Sequence, residues 1–308
     1  MKDSAAGRQP SGSNICAIVV TYHPDAELPV RLSRILHQLR AVIIVDNGSG
    51  EAAVKMLQAI AANPRVTLIL NAANLGIARA LNIGIERAAE RGFPWVLLLD
   101  QDSYVDTDMV RTLTEVYAAY PDRDRLAVIG SGFRDGTHAL QGPTDEGGDS
   151  WEERELVITS GSLIPLRAHA VVGSFREEFF IDYVDSEYCF RARSKGYGVI
   201  KTRRPIMSHP IGAITRHKWL WMHKWTFNHS ADRRYYIARN DTVMLREYGN
   251  YRFGLWALKS LGRCFRVCKR IVLYEKMKAS KIIAVAQGWY DGVRGHMGPR
   301  SKAKSNAS

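Results

Sequence analysis

The 308-residue sequence predicts an α/β fold: a mainly parallel central sheet flanked by helices, followed by a basic helical C-terminal extension. Three observations carry this prediction. Apolar runs alternate with segments of helical periodicity from Ile15 onward. Those runs are apolar at successive positions, as in strands covered on both faces. The charge then changes abruptly: 13 of the 43 basic residues but only two of the 31 acidic ones lie from Arg252 to the end, so the net charge of +12 belongs almost wholly to that tail. With 46% hydrophobic and 24% charged side chains, the composition excludes a disordered, collagen-like or coiled-coil chain.

The elements follow in order. ICAIVVTY is a first buried strand, ELPVRLSRILHQL a helix, and AVIIVDNGSG a second strand ending in turn residues. EAAVKMLQAIAAN is a helix, VTLILN a third strand, and IARALNIGIERAAERG a helix ended by Gly92. WVLLLDQDS is a fourth strand that runs straight into carboxylates. Residues 134–155, rich in Gly and Asp, predict a loop bordering a site, after which LVITSGSLIPLRAHAVV resumes strand and helix. The boundaries expected are a disordered terminus over 1–14, one α/β domain over 15–250, a basic amphipathic helical region over 251–298 and a disordered tail over 299–308.

Composition also narrows the function. Cys16, Cys189, Cys264 and Cys268 are too few for a disulfide scaffold, and no C-x-x-C pair is present to hold zinc. Residues 1–14 lack an apolar secretion core, and no stretch approaches the roughly 18 apolar residues that span a bilayer. The expectation is a cytoplasmic protein. A nucleic-acid reader carries its basic surface in the folded domain, whereas the first 251 residues are nearly neutral, so no nucleic-acid partner is expected.

In such a sheet, ligands gather at the carboxyl ends of the strands. Asp100, Gln101 and Asp102 fall there, and paired carboxylate oxygens suit a hard cation such as Mg2+ or Mn2+. Asp46 ends the second strand, placed either to bond a ribose or base or to stabilise its own turn. Asn74, Gly76 and Arg79, with Asn82 and Gly84, open the helix after the third strand, where glycine allows close approach and a helix N-terminus favours anions. No G-x-G-x-x-G follows the first strand, so the dinucleotide fingerprint is absent. Asp182, Asp185 and Glu187 cluster before and within the start of a helix, where one acts as a cap and another could serve as general base. His209 follows a strand-like segment and could complete a metal or diphosphate site. RRYYIARN, residues 233–240, includes Arg234 and Arg239 and is suited either to phosphate oxygens or to a solvated helix face.

The ordered set VVTYHP, IIVDNGS, NLGIARALNIGI, LLLDQDS, FFIDYVDSEYCFRA, SHPIG and RRYYIARN resembles the family 2 inverting glycosyltransferases, most closely their bacterial rhamnosyltransferases, with GWYDGVRG in the tail also similar. The resemblance implies a GT-A fold with a nucleotide-sugar half over about 15–105 and an acceptor half over about 106–250. It implies a donor such as dTDP-L-rhamnose, a divalent cation under its diphosphate, and a lipid-linked saccharide or glycolipid acceptor. By position, Asp46 and Arg79 would contact the nucleotide with Thr21 and Tyr22 beside them; Asp102 would bind the metal and Asp100 would sit near the sugar or ribose. His209 and Arg239 match positions near the diphosphate. Asp185 takes the place of the catalytic base, but Val184 stands where the family often has Glu, which keeps Asp182 as a second candidate. The tail alternates Lys259, Arg263, Arg266, Lys269 and Arg270 with Trp256, Leu261, Phe265 and Ile271, compatible with a helix on an anionic membrane surface at the inner face of the cytoplasmic membrane.

Overall fold

A computed structural model of the chain describes residues 9–135, 150–209, 215–219, 222–226, 228–249 and 255–300. They form two compact units, Met1–Phe175 with Asp185–Pro210 and Arg176–Val184 with Ile211–Ser308. The boundary expected near residue 250 therefore falls inside the second unit.

In the first unit the predicted alternation is present: β1 (Ile15–Thr21), α1 (Leu28–Leu36), β2 (Val42–Asp46), α2 (Glu51–Ala61), β3 (Val66–Leu70), α3 (Ile77–Glu90) and β4 (Trp95–Asp100). Every residue of β1 and β2 is buried, as the unbroken apolar runs require. β3 lies at the sheet edge and opens to solvent toward Leu70. α1 carries Pro29 in its first turn, where no amide donor is needed, and buries Leu28, Leu32, Ile35 and Leu36 along one stripe. Each fully buried aliphatic side chain of this core contributes roughly 1.5–3 kcal/mol. Gly84 allows α3 to settle onto the sheet: a Cβ there would stand 2.5 Å from Ile18 Cγ2 and 3.3 Å from Val45 Cγ2. Its glycine serves packing on the sheet.

The chain continues through β5 (Tyr104–Val105), α4 (Met109–Ala119), β6 (Leu126–Asp135), β7 (Trp151–Glu153), β8 (Ser162–Pro165), α5 (Leu166–Val172), α6 (Val184–Ser194) and β9 (Gly198–His209). The sheet order is β3-β2-β1-β4-β8-β6-β9-β5, with β7 also paired to β9. Strands β3, β2, β1 and β4 are parallel, whereas β8 runs antiparallel between β4 and β6. The expected loop over 134–155 is thus interrupted: β6 reaches Asp135 and β7 pairs with β9, while 136–149 lie outside the described residues.

The second unit contains the hairpin β10 (Thr215–Trp219) and β11 (Met222–Thr226), then α7 (Ala231–Glu247), α8 (Leu255–Tyr274) and α9 (Lys278–Arg294). Ser230 caps α7, its side chain accepting from the Arg233 amide. α7 and α9 meet through small residues one turn apart. A Cβ on Gly288 would lie 2.2 Å from the Tyr235 carbonyl oxygen, and one on Gly292 would lie 2.7 Å from that of Arg239. The Tyr235 hydroxyl donates to Asp291 across the same contact at 2.7 Å. Among the described residues, no helix is long and apolar enough to cross a membrane.

Candidate active site

The register of the first unit gathers polar residues at one rim. Thr21 pairs with Asp46 and Val20 with Asp100, so the carboxyl ends of three adjacent parallel strands carry Thr21, Asp46 and Asp100. The chain runs outward from β1 through β2 to β3 and then crosses back to lay β4 on the other side of β1, and a crevice opens at the strand ends where such an order reverses.

On the β2 side, Asp46 is only 1% exposed. Its Oδ1 accepts from Thr21 Oγ1 at 2.9 Å and from Ser49 Oγ at 2.6 Å, and its Oδ2 accepts from the Ser49 amide at 2.8 Å. Thr21 and Asp46, expected at the nucleotide, are bonded to each other and to the turn at Ser49 in this structure. Asn47, also buried, ties that turn to the next: its Nδ2 donates to Asn74 Oδ1 (2.9 Å), and its Oδ1 accepts from the Leu75 amide (3.0 Å). Asn74 in turn accepts from the amide of Gly76, whose φ of 85° begins α3. Arg79 is exposed in the first turn of that helix. Ser49 has a faint signal in the sequence: an aspartate ending a strand commonly bonds backbone groups of the turn just after it.

On the β4 side, the residue between the two carboxylates acts as a clasp. Gln101 Oε1 accepts from the Tyr22 amide at 2.8 Å, while its Nε2 donates to the Tyr22 carbonyl at 3.2 Å. Its own carbonyl accepts from Nε of the buried Arg31 at 2.7 Å. Gln101 thus fixes the loop bearing Tyr22, whose side chain stays exposed. Arg31 went unread because it sits at a core-facing position of α1, where sequence periodicity favours an apolar residue. The Asp100 amide donates to Ser160 Oγ at 3.2 Å, and Ser160 bonds Ser103 at 2.6 Å.

Asp100 and Asp102 are both half-buried. Immediately beyond them, β5 pairs with the end of β9, setting Tyr104 opposite Ser208 and bringing the His209 backbone to this rim. The His209 side chain lies outside the described residues. Among the described residues, no three His, Cys, Asp or Glu side chains gather as a preformed cation cage. Two carboxylates at one strand end fit a Mg2+-like ion, which takes its remaining ligands from water and phosphate.

In the first turn of α6, Asp185 Oδ1 accepts from the Ser186 amide at 2.7 Å, and Asp185 lines a narrow crevice with Leu98, Thr159 and Phe175. Glu187, its neighbour in the sequence cluster, is 1% exposed and takes both Nε and Nη2 of Arg191 at 2.9 Å. That pairing makes Glu187 a structural group.

In the second unit, Phe180, Asp182 and Tyr183 have φ of 64°, 62° and 64°. Such left-handed non-glycine positions cost about 1–3 kcal/mol each. Fully buried Asn240 holds the segment, its Nδ2 lying 2.8–3.0 Å from the carbonyls of Phe179, Ile181 and Asp182. The Asp182 carboxylate receives Nε and Nη2 of Arg233 at 3.0–3.2 Å. Arg239, expected near a diphosphate, is bound in this structure within its own unit. Arg239 is 0% exposed; its Nη2 donates to the carbonyls of Glu178 (2.8 Å) and Phe179 (3.1 Å), and its guanidinium lies 5.0 Å from the Tyr236 ring centre. Arg234 bonds Glu275, which Lys281 also pairs at 2.9 Å.

The family description Glycosyl transferase family 2 matches residues 16–167, the segment that builds this rim. The dTDP-rhamnosyl transferase RfbF of Shigella flexneri is 30% identical over 260 residues, covering 76% of this chain and 81% of that protein. Among solved structures, S. aureus TarS matches with a TM-score of 0.57 at 13% identity over 91% of this chain, which spans about half (49%) of TarS. The mannosyltransferase PcManGT from Pyrobaculum calidifontis, in complex with GDP-Man and Mn2+, matches with a TM-score of 0.56 at 14% identity, over 94% of this chain and 88% of that one. At such identities the structural likenesses report the fold, which is GT-A. Together with this relative, the matched rim makes this chain a member of glycosyl transferase family 2, and hence a glycosyltransferase.

Proposed function

We propose that the protein transfers L-rhamnose from dTDP-β-L-rhamnose to a hydroxyl group of a lipid-linked saccharide, inverting the anomeric centre by in-line displacement. The observation that carries the donor is the 30% identity over 260 residues to a dTDP-rhamnosyl transferase. Asp102, with Asp100, would hold a divalent cation, magnesium or manganese. Bound there, the cation supplies electrostatic stabilisation to the departing nucleoside diphosphate.

The chain's own groups do the rest. Exposed Arg79 offers a guanidinium to the donor at a helix N-terminus, where anions are favoured, and the exposed ring of Tyr22 offers a face to the base. Asp185 takes the acceptor proton; it sits in a first helical turn, where negative charge is favoured. Asp182 is already engaged by Arg233, and accepting a proton would break that pair. Because the leaving group is a diphosphate, no protein acid has to protonate it.

A lipid-linked acceptor requires work at a membrane face. Along α8, Leu258, Leu261, Phe265 and Val272 are exposed beside Lys259, Arg266 and Lys269, supporting attachment to an anionic leaflet. The test of the donor is a panel of nucleotide sugars scored by thermal stabilisation with magnesium and with EDTA. Ligand at a hundred times its Kd stabilises by about 2.7 kcal/mol. The expected result is that dTDP-rhamnose gives the largest magnesium-dependent shift. A larger shift with UDP-GlcNAc or GDP-mannose would overturn the donor, and a shift indifferent to EDTA would overturn the cation.

A further inference from the structure

The narrow crevice beside Asp185 in the first unit has no occupant in the reading above. Leu98, Val157, Phe175 and Tyr188 form apolar, buried walls. Thr159 and Asp185 are half-buried, so the crevice opens at the carboxylate. Each wall is seated by a residue that the chemistry above leaves unused. A Cβ on Gly130 would stand 2.6 Å from Val157 Cβ, so the glycine keeps the place that Val157 fills. Buried Asn82 of α3 clasps Phe175: its Nδ2 donates to the Phe175 carbonyl at 2.9 Å, and its Oδ1 accepts the Phe175 amide at 3.0 Å. The Tyr188 hydroxyl bonds His169 Nδ1 at 3.2 Å, and the Tyr188 and Phe175 ring centres lie 4.5 Å apart. The Ser162 hydroxyl, also at the crevice, donates to the Ile158 carbonyl at 2.6 Å.

The free volume is about 10 Å³, the space of one small group. A water settled among these walls would need roughly two to four polar partners, and the hydroxyls of Ser162 and Tyr188 are already engaged. An apolar group needs none. Position narrows the choice further. Leu98 lies two residues before Asp100 on β4, and Ser160, next in the chain to Thr159, accepts the Asp100 amide at 3.2 Å. The crevice therefore lies between the carboxylates assigned to the cation and the one assigned to the base. In-line displacement puts the anomeric carbon in that interval, because the attacking and leaving oxygens stand on opposite sides of it. In L-rhamnose the ring carbon across the ring oxygen from the anomeric one bears a methyl group. L-Mannose has a hydroxymethyl group there, and L-lyxose only hydrogen.

We propose that this crevice receives the methyl group of the donor sugar, so that Val157, Phe175 and Tyr188 select a 6-deoxy sugar over its hydroxylated counterpart. The proposal rests on the donor reading above. It is tested on the full chain in magnesium by calorimetric titration with dTDP-L-rhamnose, dTDP-L-mannose and dTDP-L-lyxose. Loss of the buried methyl should weaken the lyxose compound about tenfold relative to rhamnose, and a hydroxyl forced into a closed apolar space should weaken the mannose compound about tenfold to a hundredfold. Val157→Ala should make room for the hydroxymethyl group and narrow the mannose gap to less than about threefold. Val116→Ala removes the same methyl groups from the cluster of Leu97 and Leu99, which alternation along β4 places on the other face of the sheet from Leu98, and should leave the parent's gap in place. Equal affinity for the three sugars would overturn the proposal, as would equal narrowing by the two variants. Should Val157→Ala fail to fold, the sugar series on the parent chain still decides. If dTDP-rhamnose binds without discrimination against dTDP-mannose, this proposal falls and the donor reading stands; if none of the dTDP sugars binds while UDP-GlcNAc or GDP-mannose does, both fall.

Discussion

Gln101 in the first unit and Asn240 in the second are both side-chain amides that clasp backbone, yet their surroundings differ. Gln101 is half-buried and lies between carboxylates that solvent reaches; Asn240 is sealed at 0% exposure beside an equally sealed arginine. The first clasp orders a rim around a crevice. The second holds a left-handed segment against its own backbone cost. A motif residue therefore takes its role from where its hydrogen bonds end: on a loop beside open space it shapes a site, and in a closed contact it maintains the fold.

The largest expected effect separates the two cases. Asp102→Ala should lower transfer about a thousandfold while the melting temperature stays near that of the parent, and EDTA should reproduce the loss; full activity in EDTA would remove the rim from the chemistry. Arg239→Met should do the reverse, costing about 3–5 kcal/mol in a urea titration because the carbonyls of Glu178 and Phe179 lose their donor. Unchanged stability with a raised KM for the donor would return Arg239 to the diphosphate and break the contrast. Gly288→Ala should cost about 1–3 kcal/mol by wedging α9 off the Tyr235 carbonyl, read as an earlier denaturation midpoint. Smallest in stability is Gln101→Ala, at about 1 kcal/mol, with kcat/KM reduced about tenfold as Tyr22 loosens. If kcat/KM is untouched, the clasp does not shape the site.

The first four strands and their helices were legible because each buries a continuous or periodic apolar run with its own punctuation. The second half of the sheet was less so. β9 takes partners from three separate segments, β5, β6 and β7, and a two-residue strand such as β5 carries no period to read. At the site, a carboxylate after Leu97-Leu98-Leu99 is visible in sequence, and so Asp100 and Asp102 were found. Whether a carboxylate's lone pairs are already taken is a property of the fold, and three of the acceptor positions of Asp46 are filled by Thr21 and Ser49. RRYYIARN looked like a phosphate binder by composition. Its spacing carries a further signal: the backbone carbonyls of Tyr235 and Arg239, one turn apart, come against Gly288 and Gly292, one turn apart, where the missing Cβ lets the two helices close.

The tie between Gln101 and Tyr22 gives the tripeptide Asp100-Gln101-Asp102 a mechanical meaning. A base settling against the Tyr22 ring would tug on the single residue that separates the two acidic ones, so that seating the nucleotide and trimming the angle of that pair would become a single movement. No helix has to shift for news of an arriving ligand to cross from β1 to β4.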